Sequence, residues 1–137
     1  MKYRVFDHTA DLGVEIYGKT VKELFVNAAF AVFDLMVDLQ HIKTTEVRTI
    51  CIEGADWEDL LINYLREVLY LFNGEALILG EYAIKEISPN RLAGEVRGES
   101  FESGRHRIKT EIKAVTYHQV LVRKAAAGWI GRVVFDV

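Results

Sequence analysis

At 137 residues, half of them hydrophobic and 27% charged, the chain has the size of one domain and enough apolar surface to bury a core. A net charge of -3 argues against a protein that coats nucleic acid electrostatically and leaves room only for a local basic patch. One cysteine, Cys51, excludes an internal disulfide framework and fits a reducing compartment; with four histidines it is thin material for structural zinc.

The first residues, "MKYRVFDHTADLG", meet charge before any useful apolar run, so no signal peptide is expected. "KYRVF" and "GVEIYG" alternate as strands do. In "TVKELFVNAAFAVFDLMVD", Thr20 and Glu23 have the spacing of a capping box. Apolar residues from Val21 to Met36 recur at helical spacing and spread around the cylinder, which predicts a helix covered on more than one side. "EVRTICIEG" reads as a strand. "GADWEDLLINYLREVLYLFNG" is the clearest helix: Asp56 can cap it, Glu58 and Asp59 suit its positive end, and Trp57, Leu60, Leu61, Tyr64, Leu65, Val68, Leu69 and Phe72 form a three-four stripe. Asn73-Gly74 is an ordinary helix stop.

After Gly74 the period becomes two. "EALILGEYAIKEI", the turn "SPN" and "RLAGEVRGESF" predict a hairpin, with "ESGR" as the next turn. "HRIKTEIKAVTYHQVLVRK" supplies one or two more strands and "GWIGRVVFDV" the last. In the first of these, Arg107, Lys109 and Lys113 would share a face opposite Ile108, Thr110, Ile112 and Ala114. The order predicts an α+β fold in which two helices pack between mostly antiparallel β-sheets. No stretch is long and apolar enough to cross a bilayer, and a soluble cytoplasmic protein with no membrane partner is expected.

Three clusters carry candidate chemistry: "DHTAD" at residues 7–11, "EIKAVTYH" at 111–118 and the closing "VVFDV". Each has a local explanation. Aspartates in loops bond their own backbone, lysines on half-buried strands are solvated, a histidine can be a satisfied strand-end residue, and Asp136 can be an ordinary terminal polar residue. Trp129 reads as a packed strand residue. No Gly-rich phosphate loop and no G-x-S-x-G elbow occurs. The basic run Arg105, His106, Arg107 and Lys109 is interrupted by Glu99, Glu102 and Glu111.

Together, "FDHTADLGVEIYG", "TVKELFVNAAFAVFDLM", "DWEDLLINYLREVLYLF", "EIKAVTYHQVLV" and the terminal "VVFDV" resemble the archease family over nearly the whole chain, as one domain spanning 1–137. The resemblance implies an accessory protein of RtcB-type RNA ligases that performs no ligation itself. It implies promotion of ligase guanylylation, repeated turnover in tRNA splicing, and a broadened choice of nucleoside triphosphate; tRNA is reached only through the ligase. It also implies a divalent metal ion held by Asp11, Asp136 and Val137, and a critical lysine at Lys113. His8 and His118 are supporting candidates. Two aspartates and a terminal carboxylate are hard oxygen donors, suited to calcium, with magnesium or manganese as alternatives.

Three carboxylates close together repel one another unless a cation or a base lies near. The first loop, the "KAVTYH" segment and the last strand are therefore expected to meet. Two other readings compete. One is a chaperone or modulator of an RNA-modification enzyme such as a tRNA methyltransferase, which needs a broad exposed surface. The other is a metal-dependent hydrolase using Asp11 and Asp136 itself.

Overall fold

The computed structural model describes residues 1–8 and 10–137, without the side chain of His8. Two alternating runs form β1 (Tyr3–His8) and β2 (Leu12–Gly18), followed by helix α1 (Val21–Met36). Thr20 caps α1, its hydroxyl accepting the Glu23 N–H at 3.1 Å. The reciprocal bond from Glu23 goes to the N–H of Lys19 at 3.2 Å, one residue upstream of the usual capping-box donor. Buried residues run right around α1, from Leu24, Ala28 and Val32 to Ala29 and Phe33.

After β3 (Glu46–Glu53) comes α2 (Trp57–Asn73), where Asp56 accepts the Asp59 N–H at 2.8 Å. The stop differs from the expected left-handed glycine. Gly74 has φ -97°, and the left-handed residue is Ala76, at φ 56°. An added Cβ at Gly74 would lie 2.4 Å from the exposed Tyr70 ring, which would have to turn aside.

The remaining strands are β4 (Leu77–Ser88), β5 (Arg91–Ser100), β6 (Ala114–Ala125) and β7 (Gly128–Asp136). They complete two sheets, one ordered β1-β2-β7-β6 and one ordered β3-β5-β4, and every strand pair is antiparallel. α1 packs on β2 and on β4, and α2 packs on β6 as well as on β3, β4 and β5, so both helices touch both sheets. This layering explains why α1 is apolar all round. The aromatic core passes from Tyr64 to Phe25, Trp57 and Trp129 through ring centroids 5.8, 6.0 and 5.8 Å apart. Trp129 is thus a packing residue, as its strand pattern suggests.

Residues 106–113 correct the alternating reading. Ile108 is 49% exposed, Ile112 is fully buried, and the segment lies outside β6. Its backbone closes the open end of α1 instead. Lys109 and Thr110 donate N–H groups to the Met36 carbonyl at 2.7 and 3.4 Å, satisfying a terminal acceptor that the helix cannot bond itself. Among the described residues, no helix is long and apolar enough to cross a membrane.

Candidate functional site

One end of the four-stranded sheet gathers the start of β2, the end of β7 and the start of β6. Leu12 at the start of β2 pairs with Phe135 of β7, and Asp136 pairs with Ala114 at the start of β6. Asp11 precedes Leu12 and Asp136 follows Phe135, so continuing the antiparallel register makes the two aspartates neighbours across β2 and β7. Both are exposed. The 106–113 segment joins the corner where Lys113 donates its backbone N–H to the Asp136 carbonyl at 2.7 Å. The start of β2, the end of β7 and the "KAVTYH" segment therefore meet as expected, whereas Met1 lies at the other end of the sheet beside Gly18 and Trp129.

Strand alternation orders the side chains at this corner. Leu12 and Phe135 are buried toward the helices, and Val137 packs against the same core. Asp136, between Phe135 and Val137, takes the outer face, and Asp11, just before β2, is exposed. Lys113 instead lines an open hollow of about 330 Å³ beside α2, with Arg66, Leu69, Tyr70 and Asn73. The acidic pair and the lysine therefore share one corner but lie on different sides of its sheet.

Helix α2 holds the "KAVTYH" segment through residues seven positions apart. Asn73 donates its Nδ2 to the Ile112 carbonyl at 3.1 Å, and Arg66 donates Nε and Nη2 to the Val115 carbonyl at 3.3 and 3.1 Å. Asp59 accepts the Tyr117 hydroxyl at 2.6 Å. The Arg66 guanidinium also lies 4.8 Å from the Tyr117 ring centroid, a cation–π distance. The Tyr117 hydroxyl bond, with the Ala55 N–H next, lowers the Asp59 pKa, and the same bond raises that of Tyr117. The sequence reading missed these residues. Their spacing of two heptads along the flank of the clearest helix was the available signal, because such positions face one neighbour.

Beyond Thr116 the β6 ladder slips, and Tyr117 to Val120 have only Val133 opposite them before Leu121 meets Arg132. Gln119 takes φ 56° inside this bulge. His118 is exposed there, with its N–H 3.3 Å from the Thr116 hydroxyl and its Nε2 3.3 Å from Gln119 Nε2. It stands four residues along β6 from Ala114, ~13 Å of extended chain. The side chain of His8 lies outside the described residues.

Among the described residues, no three His, Cys, Asp or Glu side chains gather closely enough to hold a metal ion. Asp11 and Asp136 are two hard-oxygen donors that flank the Leu12–Phe135 pair. They fit part of the shell of a calcium- or magnesium-class cation whose other ligands are main-chain or terminal oxygens, water or a partner.

These features define a class: an α+β domain with a helical layer between two antiparallel sheets and a polar corner built from its first turn, its last strand and the approach to β6. The archease protein family matches residues 3–137, and the chain belongs to that family. An archease from Methanosarcina acetivorans is 36% identical over 140 residues, covering 99% of this chain and 96% of its own. One from Pyrococcus furiosus is 37% identical over 136 residues, covering 96% of each. The solution structure of Methanobacterium thermoautotrophicum protein 1598 superposes with a TM-score of 0.84 at 32% identity, covering 99% of both chains. The crystal structure of a Thermotoga maritima archease, described as a possible chaperone, has a TM-score of 0.63 at 23% identity, covering 98% and 96%, and speaks for the fold alone.

Proposed function

We propose that this protein activates an RtcB-type tRNA-splicing RNA ligase, promoting its guanylylation and multiple turnover and widening the nucleoside triphosphates it accepts. The chain is not itself the catalyst in this reading, acts in the cytoplasm, and meets tRNA only through the ligase. The observation that carries the reading is the convergence of Asp11, Asp136 and Lys113 on one corner of the sheet, at the positions where the sequence resembles the archease motifs.

The corner would dock at the mouth of the ligase active site. Asp11 and Asp136, with the terminal carboxylate of Val137, would hold a divalent cation, calcium being the ion that fits best and magnesium or manganese the alternatives. When bound, that ion supplies positive charge for phosphate oxygens. Lys113, on the α2 side, would engage a phosphate or an acidic ligase residue.

A chaperone for an RNA-modification enzyme is the second reading; the Thermotoga maritima archease, which shares the fold, is described as a possible chaperone. Such activity needs a contiguous apolar surface. The exposed large hydrophobics here, Met1, Val5, Val47, Tyr70, Ile108 and Tyr117, lie on different elements, which gives the chaperone reading less support. The test is multiple-turnover ligation by a purified RtcB-type ligase with and without this protein. Stimulation beyond one turnover is expected; an unchanged rate overturns the proposal.

A further inference from the structure

The hollow beside Lys113 is built differently from the acidic corner. Its floor includes Leu69, its walls are Arg66, Tyr70, Asn73 and the chain from Lys113 to Val115, and no carboxylate lines it. Arg4, Arg48, Arg91, Arg97, Arg105 and Arg132 all have carboxylate partners. Among the described residues Arg66 and Lys113, like Arg107 and Arg123, have no ion pair. Asp59, the acid that Arg66 influences at longer range, is engaged by the Tyr117 hydroxyl. Arg66 is also held in place, since Nε and Nη2 are fixed on the Val115 carbonyl and the guanidinium lies against Tyr117. A planar cation fixed in this way is ready for a second acceptor without loss of further side-chain freedom.

We infer that this hollow receives a carboxylate side chain from a partner protein, bound between Arg66 and Lys113 with its neighbouring apolar residue on Leu69 and Tyr70. The inference rests on the reading that this chain works on another protein. Charge complementarity selects an acid. Tyr70 lines the hollow at 53% exposure and Tyr117, 48% exposed, lies beside Arg66, and Tyr and Arg are the residues that anchor protein interfaces. A nucleic-acid strand suits the place less well. Its repeating charges would continue from two cations onto the corner that carries Asp11 and Asp136, where phosphate is repelled. Nor is the partner a β-strand added to the sheet edge. The outward carbonyls of Ile112 and Val115 are already taken by Asn73 and Arg66, which covers the edge there.

The test has two arms. In the first, ligase stimulation is titrated with the wild-type protein, Arg66→Glu, Arg66→Lys and Tyr70→Ala, each first shown to be folded by its melting curve. Arg66→Glu and Tyr70→Ala should raise the half-saturating concentration about tenfold, near 1.4 kcal/mol, with the maximum stimulation kept, and Arg66→Lys, which keeps the charge and loses the planar fork, should raise it by a smaller factor of about three. Unchanged half-saturation overturns this inference and leaves the ligase reading standing. Absence of stimulation by the wild type defeats the ligase reading instead, and the second arm then decides. Isotope-labelled protein is titrated with the peptide acetyl-Gly-Glu-Leu-Asp-Gly-amide and, separately, with oligouridylate. Peptide-induced shifts at the Asn73 side-chain amide and the Lys113 and Ala114 backbone support the inference. A larger response to oligouridylate, or none to either probe, overturns it.

Discussion

Lys113 gives its backbone N–H to the carbonyl oxygen of Asp136 at 2.7 Å, tying a mid-chain segment to the final residues of β7. Because Asp136 and Asp11 flank the paired Phe135 and Leu12, this backbone bond brings the Lys113 segment to the corner that carries both aspartates. The side chains themselves are exposed, so removing them should disturb function and not folding. Asp11→Ala, Asp136→Ala and Lys113→Ala are each expected to lower single-turnover guanylylation of the ligase by about tenfold or more, roughly 1.4 kcal/mol of barrier. Their melting temperatures should stay within about 2 °C of wild type. Normal stimulation by all three variants would remove this corner from the mechanism.

A cation at the corner makes a separate prediction about the chain's end. If Val137 contributes its terminal carboxylate, a C-terminal extension moves that charge away and an N-terminal one does not. Calorimetric titration with calcium and with manganese should show binding weakened about tenfold by a C-terminal tag, the scale of one lost charged contact. Asp11→Asn should weaken it comparably. Equal affinities for the two tagged forms would show that the terminal group is not a ligand.

The core carries one polar atom that should be dispensable. The Tyr64 hydroxyl is fully buried and has no hydrogen-bond partner among the described residues, and burial raises its pKa. An unpaired buried hydroxyl costs about 1–3 kcal/mol. The ring itself packs on Phe25 at 5.8 Å and must be kept. Tyr64→Phe is therefore expected to raise stability by about 1 kcal/mol in urea denaturation with an unchanged slope. A loss of stability would mean that the hydroxyl is satisfied, for example by an internal water.

How much of this could be read from residues alone follows from how local each feature is. Both helices and their caps were legible, because Thr20 and Asp56 act on N–H groups three residues away and the apolar stripes repeat within one element. The pairing of Leu12 with Phe135 leaves no such local trace, since either residue merely reads as strand. Here the archease resemblance supplied the order of motifs, and an argument from charge supplied their meeting. The 106–113 segment misled because alternation was broken by a distant acceptor, the Met36 carbonyl. Likewise the bulge from Tyr117 to Val120 has no Gly or Pro to announce it. Its left-handed residue is Gln119, an unusual occupant.

The loop that leads to Lys113 is anchored by a buried acid whose titration sets an acid limit on stability. Glu99 accepts from the Arg105 guanidinium, from the Lys43 N–H at 2.8 Å, and faces His106 Nε2 at 3.4 Å. His106 uses its Nδ1 to accept the Glu102 N–H at 2.8 Å. Chiefly through Arg105, and against the opposing effect of burial, the Glu99 pKa is lowered from 4.5 to about 2. A depressed folded-state pKa means that the carboxylate stabilises the fold fully above the unfolded value. That contribution is then lost as the pH falls from about 4.5 toward 2. Glu99→Gln keeps the shape and removes the titration. It should cost roughly 1–3 kcal/mol near neutrality, the range for hydrogen bonds to a charged group, and should flatten the acid limb. Denaturant melts of both proteins across this window check it: the gap between them must narrow as the pH falls, whereas parallel curves would mean that Arg105 does not hold Glu99 ionised in the fold.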